Sequence, residues 1–282
     1  MTPNEKRQQE WLVAQVKHQE SPFGQILKGW RANRGFSQLG LALEAGVSAR
    51  HISFVETGRS QPSRDLIIHL SDTLRIPHRE RNMLLLAAGF APIYTETDLN
   101  SDELKNHRRV IELILKGYEP FGAVAFDRTW NVLMSNSGFQ ATLDLLGLNE
   151  TNPEVCDNVL KLLFSPDGLR PYVVNWDEVG YHLIQRVHRE AIDGGEEGRE
   201  LLNALLETCD IPSPWRLIDV SKSLELMVPL HLRINDVDMR FFTTITTLGT
   251  PQDITLQELR IEAFLPADLE TEMLIRAQQQ QA

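Results

Sequence analysis

The residues best suited to chemistry lie in one short window: Gln38, then Ser48, Ala49, Arg50, Ser53, Phe54 and Arg59. They are cationic, amide and hydroxyl groups with no paired base or nucleophile, so the set suits reading a surface rather than breaking a bond. An arginine can bond both guanine O6 and N7, which is worth about 1–3 kcal/mol of discrimination. Arg50 and Ser53 are the candidates for base edges, and the Ala49 methyl suits a thymine methyl. Phe54 lies further round the same helical face. Gln38 opens the preceding helix, where its backbone N–H and amide can meet phosphate or brace its neighbour, and Arg59 follows as a phosphate contact.

These residues need two short helices crossing steeply. Gln38 to Ala45 reads as the first and Ala49 to Glu56 as the second, joined by Ala45-Gly46-Val47-Ser48. Gly46 allows the sharp turn, Val47 plugs it from beneath and Ser48 also suits the second helix's N-cap. In such a helix-turn-helix the second helix enters the major groove with its first residues facing the bases. Ile52 and Val55 point inward, Glu56 suits an inward structural hydrogen bond, and His51 a surface position.

Three more helices flank the pair. Ser21-Pro22 starts one carrying Phe23, Leu27 and Trp30 on one face, and Gly35 ends it. A fourth runs from Gln61-Pro62-Ser63 to Leu74, and a fifth from about His78 to Ala88, stopped by Gly89 and Pro92. The expectation is an all-α five-helix domain over 21–92, preceded by a polar extension over 1–20.

Residues 93–120 read as a linker and a connecting helix, about Asp102 to Lys116. Beyond it the period changes. Ala123–Asp127 and Trp130–Met134 suggest a hairpin about Arg128-Thr129. Helices are expected near Glu178–Asp193 and Glu196–Cys209. Alternating runs from Leu226 to Ile234, from Met239 to Thr246 and from Leu259 to Leu265 predict antiparallel strands, the first two turning at Asn235-Asp236. Pro229 places its strand at an edge or a bulge. Residues 121–282 therefore form an α+β domain, a helix-covered antiparallel sheet.

Composition limits the function. The chain is 42% hydrophobic and 24% charged, ordinary for a globular protein, and no apolar run reaches the roughly 18 residues of a membrane span. Net charge is −11, but residues 1–92 hold 12 Lys and Arg against 8 Asp and Glu, while the remainder holds 16 against 31. A mildly basic block joined to a strongly acidic one fits a chain whose first part meets phosphate and whose second part does not. Cys156 and Cys209 lack metal spacing and read as reduced thiols of a cytoplasmic protein. His182 and His188 are not at the i, i+4 spacing of a helical zinc pair and read as surface residues. Gly194-Gly195 lies in an acidic turn that repels phosphate. No catalytic residue, metal site or required cofactor is expected, and the chain is not expected to be an enzyme.

Ser37-Gln38, Leu41-Ala42, Ala45-Gly46-Val47-Ser48, Ile52-Ser53, Glu56-Thr57-Gly58-Arg59 and Pro62-Ser63 resemble the XRE/Cro family of helix-turn-helix regulators. The resemblance implies a lambda-repressor-like domain and the roles given to Gln38 and the start of the second helix. Gly40 departs from the polar, helix-favouring residue often found there and weakens its helix by about 0.5–1 kcal/mol. Arg79-Glu80-Arg81-Asn82, Leu84 to Pro92, Asp127 to Val132, Asn136, Asn158-Val159-Leu160, Pro166 to Leu169, Val174-Asn175-Trp176 and Glu258 to Asp268 resemble bacterial regulators with an MmyB-like ligand-binding domain. That resemblance implies a PAS-like fold cupping an apolar, fatty-acid-like ligand.

Such a cavity needs apolar walls and a polar or cationic group at its mouth. Phe126, Phe139, Phe164, Trp176, Trp215, Phe241 and Phe242 are the wall candidates, and Arg216 or His231 the mouth. The expected partner is a pseudo-palindromic double-stranded operator bound by a homodimer, since one helix in one groove seldom suffices. The rival reading joins the DNA-binding domain to a protein-interaction module with a filled core, and a third puts haem or flavin in the pocket.

Overall fold

The structure, a computed structural model, describes residues 21–148, 153–193, 195–208, 211 and 227–279. The chain forms two compact units. One comprises Met1–Glu96 with Gln252–Gln257, the other Thr97–Pro251 with Glu258–Ala282.

The first unit is helical: α1 Pro22–Asn33, α2 Gln38–Glu44, α3 Ala49–Glu56, α4 Arg64–Thr73 and α5 His78–Ala87. Serine side chains cap the first four. Ser21, Ser37, Ser48 and Ser63 accept from the backbone N–H of Gly24, Gly40, His51 and Leu66. Each cap satisfies an otherwise orphaned donor and is worth about 1 kcal/mol. Pro77 precedes α5 and offers no side-chain cap. Gly46, at φ 64°, makes the turn between α2 and α3. Phe23, Leu27, Leu41, Ile52, Val55, Ile67, Leu70 and Leu85 fill one core. Gly24 is needed for contact rather than conformation, since a Cβ there would sit 2.0 Å from the Glu56 carbonyl oxygen.

The second unit is a five-stranded antiparallel sheet with helices around it. In chain order it contains α6 Lys105–Gly117, β1 Ala123–Phe126, β2 Val132–Ser135, α7 Ser137–Leu145, α8 Pro153–Cys156 and α9 Val159–Phe164. Then come α10 Trp176–Asp193, α11 Gly195–Thr208, β3 Leu230–Ile234, β4 Val237–Thr247, α12 Ile254–Glu258, β5 Arg260–Pro266 and α13 Leu269–Gln279. Most of α12 falls in the first unit. Strand order is β2-β1-β5-β4-β3. Register pairs Phe264 with Thr243 and Glu262 with Val124, so β5 presents Glu262 and Phe264 to the same face as Val124, Phe126, Met239 and Phe241. That face carries the larger core, with α7, α9 and α10 against it. The opposite face buries Ala123, Ala125, Ile261 and Ala263, and α6 packs on β1.

Three expectations shift. Trp130 is not a strand residue: it sits in the β1–β2 turn at φ 67°, with its ring stacked on Phe126 at 4.8 Å. Strand β3 begins after Pro229, on the sheet edge where a residue without an N–H costs nothing; Leu226 lies outside the described residues. His182 and His188, expected at the surface, are half-buried on α10. Asn235 and Asp236, both at positive φ, turn β3 into β4 as expected. Among the described residues no helix is long and apolar enough to cross a membrane, and no group of His, Cys, Asp and Glu could hold a metal. Burial, then Asp157, raises the Cys156 thiol pKa, so it stays protonated; Cys209 lies outside the described residues.

Candidate nucleic-acid interface and ligand cavity

The α2–α3 pair is held by a buried charge cluster. Arg31 of α1 donates through Nε to Glu56 Oε1 at 2.6 Å and through Nη2 to Oε2 at 3.1 Å. Gln38 Nε2 donates to the same Oε2 at 2.6 Å, and Arg31 Nη1 reaches the Phe36 carbonyl at 2.8 Å. The Glu56 side chain is only 2% exposed, as its expected inward role requires. His69 of α4 donates through Nε2 to the Ala45 carbonyl at 2.6 Å, tying down the turn itself.

On the outer face, Arg50 and Arg59 are exposed and Phe54 half-buried. The Phe54 ring lies 5.0 Å from the Arg50 guanidinium carbon and 5.9 Å from that of Arg59. One ring thus gathers two cations from opposite ends of α3, each worth about 0.5–1 kcal/mol at an exposed site. Gln38 braces, since its amide nitrogen is committed to Glu56. Ser48 caps α3, its hydroxyl oxygen accepting from His51 at 3.1 Å. Ala49 is half-buried against the core. Ser53 is half-buried, and its carbonyl accepts from Thr57 Oγ1 at 2.7 Å.

The second unit contains a cavity of about 420 Å³ between the sheet and its helices. Its walls include Phe139, Leu143, Leu162, Leu232, Met239 and Phe241. Asparagines build the frame. Asn136 donates to the Leu115 and Phe121 carbonyls at 3.0 and 2.9 Å, and accepts from Ala123 and Phe139 at 2.8 and 3.0 Å. Asn158 donates to the Thr129 carbonyl at 2.9 Å and accepts from Leu160. Asn175 donates to the Pro229 carbonyl at 2.9 Å and accepts from His231 N–H. Gly138 allows close passage, since a Cβ there would lie 2.3 Å from the Pro120 carbonyl oxygen.

Of the expected wall residues, Phe139 and Phe241 line the cavity. Phe126, Phe164 and Trp176 do not: Phe126 stacks on Trp130, and Phe164 meets Trp176 edge-on at 5.1 Å. These rings fill the core with one another. Phe242 faces the other side of the sheet, paired with Leu265. His231 is not at the mouth. It points away from Leu230 and Leu232, and its Nε2 lies 2.9 Å from Asp238 Oδ1. Asp238 is held down at about 2 by Arg233 first and His231 second. Trp215 and Arg216 lie outside the described residues. Phe264, not among the expected wall residues, also lines the cavity; its alternation with Leu265 on β5 is the sequence signal that marks it. Polar lining comes from Ser137, Gln140, Thr142 and Asp144, with no Lys, Arg or His among the described lining residues.

Beside the core lies a second charge cluster that periodicity did not reveal. Arg186 of α10 sits over Trp130 at 4.3 Å, 3.0 Å from Glu190 and 3.6 Å from Glu262. Arg260 Nη1 approaches Glu190 at 2.7 Å. Burial raises the Glu262 carboxyl pKa, with Arg186 opposing.

A helix-turn-helix of XRE type and an α+β unit with an apolar cavity together define a DNA-binding transcription regulator with a ligand-binding domain. Residues 27–81 match a helix-turn-helix family model. Residues 107–277 match the MmyB-like transcription regulator ligand binding domain, which spans more than half of the sequence, and the chain belongs to that family. Neither family is enzymatic. No curated protein matches the chain.

Proposed function

We propose that the chain is a ligand-responsive regulator that binds a pseudo-palindromic operator as a homodimer and whose cavity takes a small apolar, fatty-acid-like molecule. The observation that carries the reading is the 420 Å³ cavity walled by leucine, methionine and phenylalanine, a size and lining that suit a small hydrophobic ligand. A filled core would instead favour the protein-interaction reading. With His231 engaged by Asp238, Arg216 is the remaining cation proposed for a carboxylate headgroup. Arg50, Ser53 and Ala49 are assigned to base edges, Arg59 to phosphate, Ser48 to the DNA-facing N-cap of α3, Phe54 to holding both arginines, and Gln38 to bracing α3. The proposed setting is the bacterial cytoplasm. Native mass spectrometry of the purified chain, followed by denaturation and lipid analysis, tests the cavity: a stoichiometric apolar adduct supports the reading, and a clean spectrum in the presence of added long-chain fatty acid refutes it. A visible absorbance band would instead indicate haem or flavin.

A further inference from the structure

The first four helices of the DNA-binding unit carry their own serine caps, and α5 does not. Pro77 has no side-chain donor or acceptor to offer, so the His78 N–H, at the start of α5, needs a partner from elsewhere. It finds one 179 residues away: Gln257 Oε1 accepts it at 2.7 Å. Two further bonds fix the same segment. Ile254 N–H donates to the Thr95 carbonyl at 2.8 Å, and Thr95 Oγ1 donates to Asp253 Oδ2 at 2.9 Å. Ile254 and Leu256 are buried, and so is Asp253. Tyr94, next to Thr95, stacks on His78 at 3.8 Å. The segment Gln252–Gln257 is therefore a structural member of the first unit, although covalently it is the connection between β4 and β5.

Those two strands are cavity walls: Met239 and Phe241 come from β4, and Phe264 from β5. The distance along the chain is short on both sides, from Thr247 to Gln252 and from Gln257 to Arg260. A change in the spacing or twist of β4 against β5 has to be absorbed by a connection whose middle is pinned by three hydrogen bonds and two buried aliphatic side chains. We propose that Gln252–Gln257 is the relay that carries the state of the cavity walls to α5 of the DNA-binding unit. As a regulatory route this rests on the ligand-binding reading above, but its mechanics do not require the ligand to be known.

Hydrogen exchange on the full chain tests the relay, with wild type, Gln257→Ala, Phe241→Leu and the double variant forming a cycle. Gln257→Ala is expected to speed exchange of the His78 amide at least tenfold while leaving amides within Arg64–Thr73 unchanged. Phe241→Leu is expected to shift exchange at Ile254 and His78 at least threefold, and its effect on His78 should vanish once Gln257 is alanine. Met239→Ala serves in place of Phe241→Leu if circular dichroism shows that the latter does not fold. The proposal is overturned if the wall substitutions leave Ile254 and His78 at wild-type rates, or if their effect on His78 persists undiminished without Gln257. Neither outcome depends on ligand: absence of an adduct in the mass spectrum defeats the ligand reading alone.

Discussion

Removing the Glu56 carboxylate should loosen the whole reading head. Glu56 accepts three hydrogen bonds, two from Arg31 and one from Gln38, at 2.6–3.1 Å, and the two charged side chains are 2% and 12% exposed. Glu56→Ala leaves a guanidinium in a site that water barely reaches, which costs about 3–5 kcal/mol. At 1.4 kcal/mol per tenfold, exchange of the protected amides in α2 and α3 should speed up by roughly two to three and a half powers of ten. Because the cost comes from the stranded charge, Arg31→Met combined with Glu56→Leu should recover most of it, while Gln38, half-buried, turns to solvent. Hydrogen exchange under conditions where opening is a fast pre-equilibrium reads this directly. An acceleration of less than about tenfold in Glu56→Ala, or a double variant as loose as the single one, would rule out a stranded charge as what loosens α2 and α3.

Arg50→Ala should weaken DNA binding and relax preference at one base pair per half-site, whereas Arg59→Ala should weaken binding on all sequences alike and lower the salt slope by about 1; binding titrations on matched and mismatched duplexes separate the two. Asn136→Leu strands two carbonyls and two N–H groups inside the second unit and should lower its stability by at least about 3 kcal/mol, measured by denaturant unfolding; a loss under about 1 kcal/mol would show that these groups find other partners. Burial holds the Glu262 pKa above its usual 4.5, so its stabilising protonated form is fully present below that value and lost as pH rises through the raised one. Glu262→Gln should therefore melt close to wild type near pH 4.5 and progressively higher than wild type toward neutral pH; a pH-independent difference in melting temperature would contradict this.

The helical unit was legible because its signals are local. Each serine cap acts three residues ahead, and Gly35, Gly46, Gly58 and Gly89 all adopt the positive φ that a helix end or tight turn requires. The Asn235-Asp236 hairpin was legible for the same reason. What was hidden depends on which apolar face meets which. A period of two separates Phe241 from Phe242 but does not say which side holds the cavity. Nor does composition distinguish Phe139, with space beside it, from Phe126, Phe164 and Trp176, which close on each other and on Trp130. Glu262 reads as an outward residue by alternation, yet it is buried and faces Arg186. Gln257 was hidden by distance: nothing near it in sequence indicates that a helix opened by Pro77 lacks a cap.

A ligand-responsive, DNA-binding chain is tested most directly by its affinity for its own upstream promoter DNA, measured across a salt series with and without a long-chain fatty acid. Sequence-specific binding that weakens with salt, as the arginine contacts require, is expected, with an affinity that shifts when the fatty acid is added. Equal affinity for promoter and unrelated DNA would contradict the reading of α3 as a base-contacting helix, and specific binding indifferent to the fatty acid would contradict the proposed ligand.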